Sequence, residues 1–149
     1  LAEAGLPGTW TSENPDGSES KTVISWAAGE HVLKYERFDR PASGGDWTSS
    51  SLFVWYWDAH HDHIATMYLD DHGTVIHGSV ESISKSGDTV TIISNHEGNR
   101  YHDLTMSTQA KQVVTPKSIT NSWTGMSLNG KRHKLSWSEG SYTTQRAKK

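Results

Sequence analysis

The sequence contains no cysteine. That single absence excludes a disulfide framework, a thiolate nucleophile, Cys-ligated zinc and an iron–sulfur cluster. Charge of either sign is thinly spread. Lys and Arg number 14 against 17 Asp and Glu, for a net charge of -3, and no basic run is longer than four residues, the terminal one being Arg146-Ala147-Lys148-Lys149. Nucleic acid is therefore not expected as a partner. No stretch approaches 18 consecutive apolar residues, so no membrane span is expected. The common catalytic signatures are missing too: GxSxG, GxxxxGK(S/T), GxGxxG, HExxH and the cupin spacing all fail to occur. A cysteine-free chain suits a cytoplasmic and a secreted bacterial protein equally. The chain begins at Leu1 with no visible leader, and the compartment stays open.

What is abundant is small, hydroxylated or aromatic. Seven Trp and five Tyr argue for a folded chain, since disordered segments are poor in aromatics. With 20 Ser, 15 Thr and 13 Gly, the composition is that of short strands and many turns rather than a helical bundle. The 149 residues suit one domain, 1–149, large enough to fold without a metal or cross-links. Apolar residues alternate with polar ones at period two rather than 3.6. This predicts strands at Gly8–Glu13, Ser18–Trp26, His31–Arg40, Ser49–Asp58, His63–Asp70, Thr74–Ser84, Thr89–His96, Arg100–Met106, Lys117–Leu128 and Lys131–Ser138. Turn signals separate them, among them Asn14-Pro15-Asp16-Gly17, Asp71-His72-Gly73, Glu97-Gly98-Asn99 and Asn129-Gly130. Asn-Gly is the strongest, because both central residues of a type I′ turn need positive φ. The fold class that follows is all-β: a single antiparallel up-and-down barrel of about eight to ten strands, closed to remove its edges and wide enough for one small ligand.

Two hairpins lend themselves to register arguments. A two-residue His72-Gly73 turn would oppose Leu69 to Ile76 and bring Tyr68 near His77. A four-residue Lys85–Asp88 loop would oppose Val80 to Ile93 and His77 to His96. One face then collects Ala65, Met67, Leu69, Ile76, Val80 and Ile93, and the other carries a row of Tyr68, His77 and His96. Two readings stand. The apolar face lines the core and leaves the row in solvent, or the barrel has a polar lumen and the row shares a ligand or a proton. A one-residue slip would scatter the row.

The aromatic run Phe53-Val54-Trp55-Tyr56-Trp57 is apolar on both faces. It reads as a central strand covered on both sides, or as one that sets Trp55 and Trp57, or Tyr56, against a planar ligand. His60-His61-Asp62-His63 places two imidazoles on one face of a strand, short of the three or four ligands a metal needs, so a solvated loop is expected and no metal is assigned. The nine His carry another consequence. If all titrate normally, the net charge swings from -3 toward +6 below about pH 6.

The opening Gly8-Thr9-Trp10 resembles the Gly-x-Trp start of calycin-type barrels. With Asp16-Gly17-Ser18, Trp26, Tyr56-Trp57-Asp58 and Asp71-His72-Gly73, the chain is similar over most of its length to a bacterial lipocalin-like family of unsettled activity. The resemblance implies a lipocalin-like barrel and no particular reaction. The stretch Ala2–Trp10 also resembles the start of the streptavidin family. That implies biotin binding as a minor alternative, with Ser12, Asn14 and Ser18 where the first polar contacts would fall. Trp123-Thr124-Gly125 and Trp137 are similar to that family's Trp-Ser-Gly hairpin but lie in the last two predicted strands. A third similarity, to haem-binding ten-stranded barrels of the nitrobindin group, would make His77, His96 or His102 a proximal ligand.

The lead expectation is a hydrophobic pocket for a small apolar or aromatic molecule, with Tyr35, Trp55, Trp57 and Tyr68 as ligand-binding residues. The alternative is a cofactor-independent lyase, isomerase or dehydratase, with His77 or His96 as general base and Tyr68 as hydrogen-bond donor. A purely structural module is the third class. The expected partner is a small-molecule ligand or substrate, with a homodimer compatible and no cofactor required.

Overall fold

The computed structural model describes residues 5–100, 104–132 and 140–148. Its elements are β1 (Gly8–Glu13), β2 (Glu19–Ala27), β3 (Val32–Arg40), β4 (Thr48–Asp58), β5 (His63–Asp70), β6 (Val75–Ser86), β7 (Thr89–Arg100), β8 (Leu104–Val114), β9 (Ser118–Leu128), β10 (Lys131–Arg132) and β11 (Ser141–Arg146). Successive strands pair antiparallel from β1 to β9, and β11 pairs with both β9 and β1. The two-residue β10 is only a hairpin arm on β9. The circuit is thus a closed, ten-stranded, up-and-down antiparallel barrel, all-β as the alternation predicts.

Strands β1 and β5 fall on their predicted bounds, and β2, β3, β4, β6 and β9 lie within one or two residues of them. The Asn129-Gly130 turn forms as expected, with φ of 48° and 73°. Three expectations need correction. Glu97-Gly98-Asn99 is not a turn but the continuation of β7. Gly98 is there because β6 passes so close that an added Cβ would lie 2.2 Å from the Val75 carbonyl oxygen. β8 runs over Leu104–Val114 rather than Arg100–Met106, and β11 was not anticipated at all. Of the predicted Lys131–Ser138 strand, Lys131 and Arg132 form β10 and the rest lies outside the described residues.

The predicted pairing of the two hairpins is also corrected. Leu69 opposes Val75 and Tyr68 opposes Ile76, one residue away from expectation. The cause is Asp70, whose carboxylate accepts the backbone N–H groups of His72 and Thr74, each at 2.9 Å, and so holds a five-residue connection open. On the next hairpin, Ser86 opposes Thr89 across a two-residue turn, and a bulge between Val80 and Ser82 shifts the register again. His77 therefore faces Glu97, while His96 faces Gly78. The faces split accordingly. Tyr68 and His96 turn inward with Ile76 and Val80, and His77 turns outward with Ala65, Met67 and Leu69.

One barrel end is sealed. Leu6, Trp10, Ile24, Leu33, Tyr35, Trp55, Val90, Ile92, Val114 and Ile119 form one apolar cluster. Burying each large side chain stabilises the fold by roughly 1.5–3 kcal/mol. The Trp10 indole N–H donates to the Leu6 carbonyl at 2.9 Å. The Arg146 guanidinium lies 4.2 Å from the Trp10 ring and donates to the carbonyls of Pro7, Pro116 and Gly5. These contacts tie the first and last strands together under the floor. A second cluster, Ile76, Met106, Met126 and Leu128, with Tyr68, Leu104 and Trp123 against it, lies toward the other end.

Candidate functional site

Between the two apolar clusters the barrel encloses a cavity of about 460 Å³. Its size falls within the roughly 300–1,000 Å³ typical of small-molecule sites. The floor belongs to Ile24, Tyr35 and Ile119; the walls carry Phe53, Ile76, Met106, Ala110 and Met126; Arg37, Asp70 and Arg100 stand toward the open end. Asp70 is the last residue of β5 and Arg100 the last of β7, so the register alone puts both at that rim. The lining is apolar with scattered polar atoms from His96, Thr108, Gln112 and Asn121.

Of the residues singled out from sequence, Tyr35, Tyr68 and His96 all line the cavity. Trp55 lies buried beneath it, its ring stacked on Tyr35 with centroids 5.9 Å apart and planes inclined by 20°. It shapes the floor through Tyr35. Trp57 shares the parity of Trp55 but sits past the sealed end, 55% exposed. His77 projects from the outer face, so the structure joins Tyr68 and His96 without it. Phe53 stands between that pair, 6.4 Å from Tyr68 and 6.0 Å from His96, centroid to centroid.

Each inward polar group is tuned by its surroundings. Burial pushes the His96 imidazole down to about 4, so the ring is neutral at neutral pH. Its Nε2 lies 2.8 Å from the Ser94 hydroxyl and its Nδ1 3.5 Å from that of Thr66. Burial also raises the Tyr35 and Tyr68 phenols, keeping both protonated. For Asp70, burial works toward a higher value, but hydrogen bonds from Thr74 and His72 outweigh it and hold the carboxyl below its ordinary range. Arg37 donates to Asp39 at 3.1 Å and to the Ser20 hydroxyl at 2.8 Å, which fixes its guanidinium at the rim.

Of the candidate haem ligands, His96 lines the cavity with Nε2 2.8 Å from the Ser94 hydroxyl and Nδ1 3.5 Å from that of Thr66, His77 faces away from the cavity, and His102 lies outside the described residues. Ser12, Asn14 and Ser18 do not line the cavity; Asn14 donates to the Ser18 hydroxyl within the β1–β2 turn. Trp137 lies outside the described residues. Around His60, His61 and His63 the His61 ring meets Asp58 at 2.8 Å. Among the described residues no group of three or more His, Asp or Glu is placed to hold a metal ion.

Several lining residues escaped the sequence reading. Arg37 and Phe53 follow by parity from Tyr35 and Trp55, a signal that was present in the chain. Gln112, Asn121 and Tyr142 come from β8, β9 and β11, two of which were misplaced or missed, so parity had no strand to act on.

No protein-family model, curated protein or solved structure matches the chain. The class rests on the fold: a closed ten-stranded antiparallel barrel of this kind fits a calycin or lipocalin-like fold.

Proposed function

We infer that the protein binds a small, largely apolar or aromatic molecule inside the barrel. The observation that carries this reading is the cavity itself, about 460 Å³ of space lined by Phe53, Tyr68, Met106, Trp123 and their neighbours and reached past a charged rim. Apolar walls with a few convergent polar groups are the usual make-up of ligand sites. A proton–nitrogen correlation NMR titration with a panel of small aromatic molecules tests it. At least one compound is expected to shift the Trp123 indole and the amides of Thr108 and Ala110, while the exposed Trp57 indole stays put. A panel that leaves the cavity signals unmoved contradicts the reading.

The catalytic reading has one observation in its favour, the placement of Tyr68 and His96 on one lining. A general base works best with a pKa near the operating pH. His96 is pushed down to about 4 and both its ring nitrogens face hydroxyls, which favours binding over proton abstraction.

A further inference from the structure

Resting on the binding reading above, we propose that the cavity selects a neutral, flat, apolar molecule whose inner end carries a hydroxyl or an amide, seated against Tyr35 and Gln112. Two atoms carry the argument. The Tyr35 hydroxyl and Gln112 Oε1 are shielded from water and lack any hydrogen-bond partner, and both residues line the cavity. Tyr35 is 7% exposed, and its ring is held between Trp55 at 5.9 Å and Phe53 at 5.7 Å. Gln112 gives its amide N–H to Asn121 Oδ1 at 2.8 Å, which orients the group and leaves Oε1 as a pure acceptor.

Buried groups without partners are rare in folded proteins, and each is destabilising. Both residues line one cavity, so a guest group that pairs with either atom removes its penalty. Gln112 Oε1 requires a donor, and the Tyr35 hydroxyl donates or accepts. A hydroxyl or an amide offers both functions in one small neutral group. A carboxylate brings no hydrogen for Gln112 and would lose its hydration above an apolar floor, which is costly for a charge. A bare hydrocarbon leaves both atoms unpaired, the situation in which polar sites discriminate most strongly. Burial, which keeps the Tyr35 phenol protonated, maintains the donor across the neutral range.

The test is calorimetric titration of the wild type and of Tyr35→Phe with 2-naphthol, naphthalene and 2-naphthoate. The wild type is expected to bind 2-naphthol about tenfold tighter than naphthalene, as one recovered hydrogen bond implies, and 2-naphthoate more weakly than either. Tyr35→Phe removes only an unpartnered oxygen, so it should melt no lower than the wild type and lose most of the preference for 2-naphthol over naphthalene. Gln112→Met also loses the hydrogen bond to Asn121, so it is expected to melt lower, and it too should lose most of the preference for 2-naphthol over naphthalene. Equal binding of 2-naphthol and naphthalene by the wild type overturns the inference while leaving the binding reading intact. A preference that survives undiminished in both variants also overturns it. Failure of all three probes to bind overturns the binding reading and the inference together.

Discussion

His96 shows how a single residue ties the interior to pH. Its imidazole is pushed down to about 4 in the folded barrel from an ordinary value of 6.5, and burial is the cause. Protons therefore bind the unfolded chain first, and stability falls as pH drops from 6.5 toward 4, with the full contribution present above 6.5. The shift corresponds to about 3 kcal/mol across that window. Asp16, Asp39, Asp58 and Asp70 all sit below their ordinary 3.8, so what they contribute is lost only at lower pH. Urea unfolding between pH 7 and pH 4.5 is expected to show this loss in the wild type and to show it sharply reduced in His96→Asn. Equal slopes in the two proteins would place the titrating group elsewhere. The inward position of this residue was only half legible in the sequence. Alternation put Tyr68 and His96 on one face, but it also put His77 there, because parity across a hairpin depends on a turn length that alternation does not encode.

Turns and bulges, more than strands, decide what reaches the cavity. The β5–β6 connection is lengthened by the Asp70 carboxylate, and the bulge near Glu81 shifts β6 against β7. Each moves the pairing by a residue, and each reverses which face a side chain occupies. His-Gly after two aspartates reads as a short turn; only the hydrogen bonds from His72 and Thr74 to Asp70 show that it is a longer one. The displaced bounds of β8 and the absence of β11 from the alternation have a related reason. A strand whose inward residues are Met106, Thr108, Ala110 and Gln112 lines a mixed cavity instead of a dry core, and its alternation is blurred. The β6–β7 pairing also depends on Gly78, where an added Cβ would lie 2.4 Å from His96 Nδ1 and 2.5 Å from the Asn95 carbonyl oxygen. Gly78→Ala is accordingly expected to cost about 1–3 kcal/mol and to displace the His96 ring, read as a lower melting temperature and a shifted imidazole NMR signal. An unchanged melting temperature and imidazole signal would show that β6 has room to yield.

At the scale of the molecule, the barrel joins a dense end to a roomy one. The first strand was legible from the Gly8-Thr9-Trp10 opening, whereas the packing of Trp10 under the Arg146 guanidinium was not, since Arg146 belongs to the unanticipated β11. Strand number, antiparallel order and closure were all within reach of composition and period-two alternation. The cavity was not, because its volume depends on the residues that three shifted or missing strands turn inward. With the floor packed and the rim charged, the interior is the part of the structure whose polar atoms are left incomplete. The central claim is that this interior space receives the ligand. Calorimetric titration of one aromatic probe that binds the wild type, repeated on Ala110→Phe, tests it most directly. Ala110 lines the cavity, and a phenyl ring there fills space without touching the floor's hydrogen bonds. One-to-one binding by the wild type, with the heat abolished in a variant that still melts cooperatively, is the expected result. Undiminished binding by Ala110→Phe would place the ligand outside the barrel and contradict the account.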